Sequence, residues 1–288
     1  MSTTLTRDTD VSRAFWAILA ANVMVEKTAP HIVTPVPGAR AAGTPVPGPG
    51  GVPRSEALGS TGYGSRARRV VYAVGGLKGG VGKTTFAMYL ALYWAMKLKR
   101  VLYIDADPVS STAFDWYEEA RKPREGHPGG TPLPFDLEHV PSDKLDKIIN
   151  ARWLDYDVIV VDCGGESGGI WTSTAKACDH MVVVVGPKKA EVRKVEATFH
   201  AAIDAIREVG RLDDVTPHVV FTRVMRQRDQ GEDSHNQAMR DKLTASKMPL
   251  LNAEVPYLVE YEDAVDTLPA RLGHYEQVFD EMHEGEAA

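Results

Sequence analysis

The stretch Gly75-Gly76-Leu77-Lys78-Gly79-Gly80-Val81-Gly82-Lys83-Thr84-Thr85 combines the residue types that binding a phosphate chain demands. Glycines let the backbone turn so that several N–H groups converge on one anion. The β-branched run Arg69–Gly75 precedes the stretch, and a helical pattern over Lys83–Lys99 follows it. Strand, glycine nest and helix in that order are the setting a phosphate-binding loop requires. The helix N-terminus adds positive potential at the same point. In this setting Gly79, Gly80, Val81 and Gly82 supply the loop backbone, and Lys83 reaches the β- and γ-phosphates. The Thr84 hydroxyl ligates Mg²⁺, and Thr85 lies by the α-phosphate. The common pattern GxxxxGK[ST] fails by one residue, because Leu77 stands where its first glycine belongs. A second lysine, Lys78, lies inside the nest instead. The plain alternative is an ordinary glycine-rich turn, which does not account for the strand, nest, GKT and helix coinciding.

The elements that position this loop read as an alternating series. Arg100–Asp105 (RVLYID) is a second strand, followed by a helix near Thr112–Lys122 and a Pro/Gly loop over Gly126–Pro134. Phe135–Val140 reads as a strand and Ser142–Trp153 as a helix. Asp157–Asp162 (DVIVVD) and Met181–Val185 (MVVVV) are strands, Lys189–Val209 a helix, Pro217–Thr222 a strand and Ser234–Ser246 a helix. The strands are continuously apolar rather than alternating, so both faces are buried. That predicts an α/β fold, a mostly parallel twisted sheet with helices on both faces.

Composition frames this domain. The chain has 288 residues, 43% hydrophobic and 25% charged, which excludes wholesale disorder and allows a large core. The longest apolar runs, Ala14–Val25 and Phe86–Met96, fall short of the roughly 18 residues a membrane span needs. The first residues, with Arg7, Asp8, Asp10 and Arg13, carry no net positive charge and make a poor signal peptide. The only cysteines, Cys163 and Cys178, form no CxxC, which argues against a disulfide framework or a zinc knuckle. A net charge of −6 excludes a uniformly basic nucleic-acid coat but not a local basic patch. The expected location is the cytoplasm. Between Ala29 and Gly64, 15 of 36 residues are proline or glycine, too many for a segment with a core. The expected division is therefore an N-terminal segment 1–28, a disordered linker 29–65, and one α/β domain 66–288. Within the first segment Ser12–Lys27 reads as a short helix capped by Ser12, with Phe15, Ile18 and Leu19 on one face. Such a helix either packs on its own domain, frays, or serves as a partner-binding arm.

The phosphate loop resembles the deviant Walker A loop of the ParA/MinD superfamily of ATPases, closest to ParA-type partition members. Val101-Leu102-Tyr103-Ile104-Asp105-Ala106-Asp107-Pro108 looks like that family's second motif, with Ser111 and Trp116 at a similar spacing after it. Tyr156–Asp162 looks like its Walker B strand. Val220-Phe221-Thr222-Arg223 and Val255-Pro256 resemble the segments that contact adenine. The resemblance covers roughly Val70 to Leu268. It implies ATP and Mg²⁺ as cofactors, slow ATP hydrolysis and a dimer closed by ATP. Carried over by residue, it makes Lys78 a cation supplied across the dimer interface, and Asp107 the group that orients the attacking water. Asp105 and Asp162, with Thr84, hold Mg²⁺ through its waters. Thr222, Arg223 and Pro256 join the ATP-binding set. It also implies a ParB-like or other adaptor that stimulates hydrolysis, nonspecific DNA as the surface, and a nucleoid-associated location.

Three departures stand out. Val109 replaces the usual Gln, Gly164-Gly165-Glu166 replaces Pro-Pro, and Pro256–Asp263 carries no arginine where the family often has arginines at DNA. Candidate DNA contacts are therefore Lys188, Lys189, Arg193 and Lys194, and Arg223, Arg226 and Arg228, with Arg66, Arg68 and Arg69 a smaller group. The bland reading of these clusters is a solvated helix start and a charged loop. A MinD-like ATPase on a non-DNA surface, or a weakly hydrolysing switch, is the alternative function. Membrane attachment is disfavoured because Tyr275–Ala288 carries five acidic residues and no Lys or Arg.

Overall fold

The structure, a computed structural model, describes residues 13–17, 19, 69–76, 79–165, 168–225 and 234–284. Six strands form one parallel sheet: β1 (Val70–Gly75), β2 (Val101–Asp105), β3 (Asp136–His139), β4 (Val158–Asp162), β5 (His180–Val185) and β6 (Thr216–Phe221). Their order is β3-β2-β4-β1-β5-β6. Every pair is parallel. β1, β2, β4, β5 and β6 are buried along almost their whole length, as continuous Val/Ile runs require when helices cover both faces. Pro217 is tolerated within β6 because this strand is the last of the six.

The helices are α1 (Lys83–Met96), α2 (Thr112–Ala120), α3 (Leu145–Arg152), α4 (Gly168–Ala175), α5 (Lys189–Val192), α6 (Val195–Glu208), α7 (Ser234–Ala245), α8 (Val259–Asp263) and α9 (His274–Met282). One core cluster joins the sheet to α3, α4, α6 and α7 through residues such as Ile149, Trp171, Phe199 and Leu243. The other joins it to α1, α2, α8 and α9 through Phe86, Trp116, Tyr261 and Phe279. α1 is apolar nearly all round, with nine of its residues buried, because it is enclosed between the sheet and α9.

The predicted helix over Lys189–Val209 is two helices, α5 and α6, joined at Arg193 and Lys194. Glu191 turns inward to accept the Gly186 N–H at 2.8 Å, which fixes the first short turn at its own angle. α4, α8 and α9 were not expected from the sequence. α4 begins in glycines, and α8 and α9 are short and rich in acidic residues. Of the expected N-terminal helix, residues 13–17 and 19 are described and helical, while Ser12 and residues 20–27 lie outside the described residues. Phe15, Trp16 and Leu19 are buried. Their seat is α6 and the turn before β6. Phe15 and Trp16 meet the Phe199 ring at 5.1 and 5.9 Å, and Trp16 Nε1 donates to Val215 O at 2.8 Å. These residues pack on their own domain, as the first of the alternatives had it.

Candidate functional site

All strand C-termini share one edge of a parallel sheet, and the loops there form a cleft of about 560 Å³. Gly79, Gly80, Gly82, Lys83, Thr84 and Thr85 line one end of it. Gly80 and Gly82 take φ of +74° and +88°, the left-handed region that favours glycine. Gly82 is also the N-cap of α1, so the open N–H groups of the first helical turn face the cleft without a side-chain cap. Val81 is buried, and its carbonyl accepts the Thr222 hydroxyl at 2.6 Å. Its part in the loop is therefore played by backbone. Lys78 and Leu77 lie outside the described residues.

Lys83 is buried, and loss of water lowers its pKa; Asp162 and then Asp107 oppose that shift. The Thr84 hydroxyl donates to Asp162 Oδ2 at 2.6 Å, and Tyr103 donates to the same oxygen at 3.2 Å. Burial raises the Asp162 pKa, while the Thr84 hydrogen bond and Lys83 pull it back. Asp105 stands in register with Asp162 across β2 and β4. Its pKa is raised first by burial and then by the Asp162 charge. Two buried carboxylates beside one hydroxyl form an excess of oxygen donors, which fits a hard divalent cation that keeps part of its water shell. The three metal candidates differ in placement. Thr84 lines the cleft and touches Asp162 directly. Neither carboxylate lines it; Asp105 Oδ1 accepts the Asp107 N–H at 3.3 Å and Oδ2 the Phe114 N–H at 3.2 Å. Asp105 thus holds the turn that carries Asp107.

Asp107 lines the cleft, and its Oδ1 accepts the N–H groups of Val109 and Ser110 at 2.9 and 3.3 Å. Gly164, at φ +65°, lies so close that a Cβ there would come within 2.8 Å of Asp107 Cγ. Gly164, the first of the residues that replace the family's Pro-Pro, therefore makes room for this carboxylate. Thr222, Arg223 and Pro256 also line the cleft. Arg223, at φ +55°, donates to Gly80 O and pairs with Glu262 at 2.9 Å. Its guanidinium serves the cleft wall rather than an outward cationic surface. Of the other DNA candidates, Lys188, Lys189, Arg193 and Lys194 are exposed together around α5. Arg226, Arg228, Arg66 and Arg68 lie outside the described residues, and Arg69 is half-buried.

Sequence reasoning placed Val255 and Pro256 here but missed the rest of the apolar end of the cleft. Val255, Tyr257, Leu258, Tyr261, Val265 and Tyr275 form it, together with Val109 at the opposite wall. Tyr275 is buried and stacks on Tyr89 at 4.2 Å between centroids. The aromatic spacing in Tyr257–Tyr275 was the available signal, masked by the acidic residues between. A phosphate-sized cationic nest at one end and a flat apolar wall at the other suit a nucleotide.

Comparison with known proteins agrees with this geometry. The family model described as "CobQ/CobB/MinD/ParA nucleotide binding domain" matches residues 72–268. A maintenance of carboxysome distribution protein A from Gloeobacter kilaueensis is 32% identical over 158 residues, 54% of this chain and 63% of that protein. The chain spans only 45% of a second curated relative's length. An ATP complex of a Cyanothece McdA variant superposes with a TM-score of 0.60 at 16% identity, covering 75% of this chain and 97% of that one. A plasmid partition protein from Borrelia burgdorferi gives 0.51 at 16% identity, covering 76% and 100%.

Proposed function

Because the chain belongs to the CobQ/CobB/MinD/ParA nucleotide-binding family, we propose that it is a ParA-like ATPase that dimerises on ATP–Mg²⁺ and drives DNA partition or cargo positioning. The observation that carries the reading is the cleft itself, with its glycine nest, the buried Lys83 and the Thr84–Asp162 pair opposite a tyrosine-lined wall. Phosphoryl transfer asks a protein mostly for positioning and charge. Gly79 to Gly82 and the first turn of α1 offer N–H groups to the phosphates, and Lys83 neutralises their charge. Thr84 and Asp162 are the residues to hold Mg²⁺, with Asp105 behind them. Bound there, Mg²⁺ supplies further neutralisation of the β- and γ-oxygens. Asp107, held by its own turn against Gly164, orients the attacking water. Thr222, Arg223 and Pro256 place the nucleoside. Lys78 is assigned the role of a cation offered to a second copy's phosphates, and a ParB-like or other adaptor is the stimulating partner.

The relatives that carry partition or distribution in their names support a moving or positioning role. The surface proposed is nonspecific DNA, met by the exposed cations Lys188, Lys189, Arg193 and Lys194 on and beside α5, with a nucleoid-associated location in the cytoplasm as the consequence. Among the described residues no helix is long and apolar enough to cross a membrane. The deciding experiment titrates DNA with the protein in ATP, ADP and no nucleotide. Binding that needs ATP and falls with salt is the expected result. Nucleotide binding without any DNA binding at low salt would move the reading to a MinD-like ATPase on another surface.

A further inference from the structure

We propose that Trp116 and Arg124 are positioning residues that fix the width of the nucleotide cleft by bolting its two walls together. The inference rests on the ATP-binding reading of the cleft and names residues outside it. One wall is the Asp107 turn and the start of α2, with Asp107, Val109, Ser110 and Thr112 facing inward. The other is α8 and the residues after it, with Tyr261, Glu262 and Val265 facing inward. Trp116 lies one helical turn beyond Thr112 and is buried. Its Nε1 crosses to Thr267 O at 2.8 Å. Arg124 crosses to the preceding carbonyl, Asp266 O, also at 2.8 Å.

The Arg124 end of the bolt rests on the end of α2. The same Nη2 reaches Glu119 O at 3.3 Å and Ala120 O at 3.4 Å, carbonyls of the last turn of α2. Those carbonyls also accept the N–H groups of Lys122 and Thr131, at 3.0 and 2.6 Å, and the helix end favours a cation beside them. The excursion that returns Arg124 to this place is a small built turn. Arg124 and His127 exchange both backbone hydrogen bonds, and Gly130 at φ +71° would put a Cβ 2.3 Å from Arg121 O. Asp266, the residue held, is itself left-handed at φ +68°, a conformation that an ordinary side chain adopts at a cost. Two hydrogen bonds on consecutive carbonyls tie this turn to the opposite wall, beside the local bonds from Thr267 to Ala264 O. Release of either lets the turn relax and carries Val265 and Tyr261 away from the opposite wall. The apolar end of the cleft then widens, while the phosphate loop on β1 and α1 stays as it is.

The test uses the full chain and four variants, Trp116→Phe, Arg124→Ala, Arg124→Lys and the Trp116→Phe/Arg124→Ala double, with ATP and GTP affinities measured in Mg²⁺ and thermal unfolding in parallel. Trp116→Phe keeps an aromatic ring but removes the N–H together with part of the buried indole, and the parallel unfolding curve separates that lost packing from the lost hydrogen bond. Each single loss is expected to weaken ATP about 3- to 10-fold, the range of one ordinary neutral hydrogen bond, and to shrink the ATP-over-GTP ratio. The double variant should do less than the product of the two, since the first break already frees the turn. Arg124→Lys should recover part of the ratio. Loss of folded protein alone cannot change that ratio. Variants that unfold earlier but keep the wild-type ratio would overturn the proposal, as would unchanged affinities. A wild-type chain that binds neither nucleotide would overturn it together with the ATPase reading, whereas wild-type binding with unaltered variants overturns the bolt alone.

Discussion

At the C-terminal edge of the sheet Asp105 and Asp162 stand in register on neighbouring strands, while at the N-terminal edge Tyr72, His180, His218 and His283 answer one another. His180 Nδ1 and His218 Nε2 lie 3.0 Å apart, and Tyr72 Oη and His283 Nε2 lie 2.6 Å apart. Tyr72 also stacks on His180, and His180 on His218. Both clusters are polar and buried apart from the half-buried His283, and β1 borders both, through Tyr72 at one end and Val74 beside Asp162 at the other. They differ in charge and access. The histidine cluster pairs polar groups that need no charge, in a closed stack. The carboxylate cluster concentrates like charge beside a cleft, with Lys83 and two hydroxyls compensating Asp162, and backbone N–H groups and His139 compensating Asp105. A buried polar group that is satisfied internally stabilises one packing, whereas buried charge held at an open cleft is arranged for a ligand.

Breaking the charged end should give the largest effects. Lys83→Ala is expected to weaken ATP binding about 100-fold, the upper range for hydrogen bonds to a charged group, as read by calorimetry. Lys78→Ala should spare much of the binding and lose hydrolysis. Equal affinity losses in the two variants would show that the lysines do not divide the work in this way. Next comes Asp107→Ala. Hydrolysis should fall about 100-fold or more, as loss of a side chain that hydrogen-bonds and orients the attacking water does, and ATP should hold a persistent dimer in size exclusion. A variant that turns over normally would remove Asp107 from the role.

The closed end predicts a smaller, pH-dependent effect. Burial, followed by the neighbouring His180 and His283, holds the His218 pKa well below its usual value. The unfolded chain therefore takes up a proton near pH 6.5 that the folded chain refuses. The stability associated with His218 is complete above about pH 6.5 and is lost as pH falls below it, by at most about 1.4 kcal/mol per pH unit. His218→Gln cannot titrate and should flatten that slope in urea unfolding at pH 5 to 7, with ATP affinity at pH 7.5 within about 2-fold. An unchanged slope would assign the acid sensitivity elsewhere.

The phosphate-binding end of the cleft was legible because it is local. Gly79 to Thr85 act through consecutive backbone N–H groups and the start of one helix, so seven neighbouring residues carry the signal. Asp105 and Asp162 were legible as the ends of continuous apolar strands, though only the structure shows that Asp105 also holds the Asp107 turn. Arg223 could be read from the sequence as either a nucleotide or a DNA contact, and its bonds to Gly80 and Glu262 favour the cleft. The α5–α6 break was not legible, because Glu191 shapes it by reaching back to Gly186.

The sequence by itself determined the parallel sheet, its two covered faces and the phosphate loop. Runs such as DVIVVD can be buried only between two layers, and a glycine nest before a helix has few other uses. Tertiary structure alone decided how Tyr257, Tyr261 and Tyr275 line the cleft, the bond from Trp116 to Thr267, the seat of Trp16 on α6 and the histidine cluster. Each joins residues far apart along the chain, 151 positions for Trp116 and Thr267 and 199 for Trp16 and Val215. Such contacts leave no periodic pattern within either segment, since a side chain is matched to a distant carbonyl or ring only after the sheet has brought the two together.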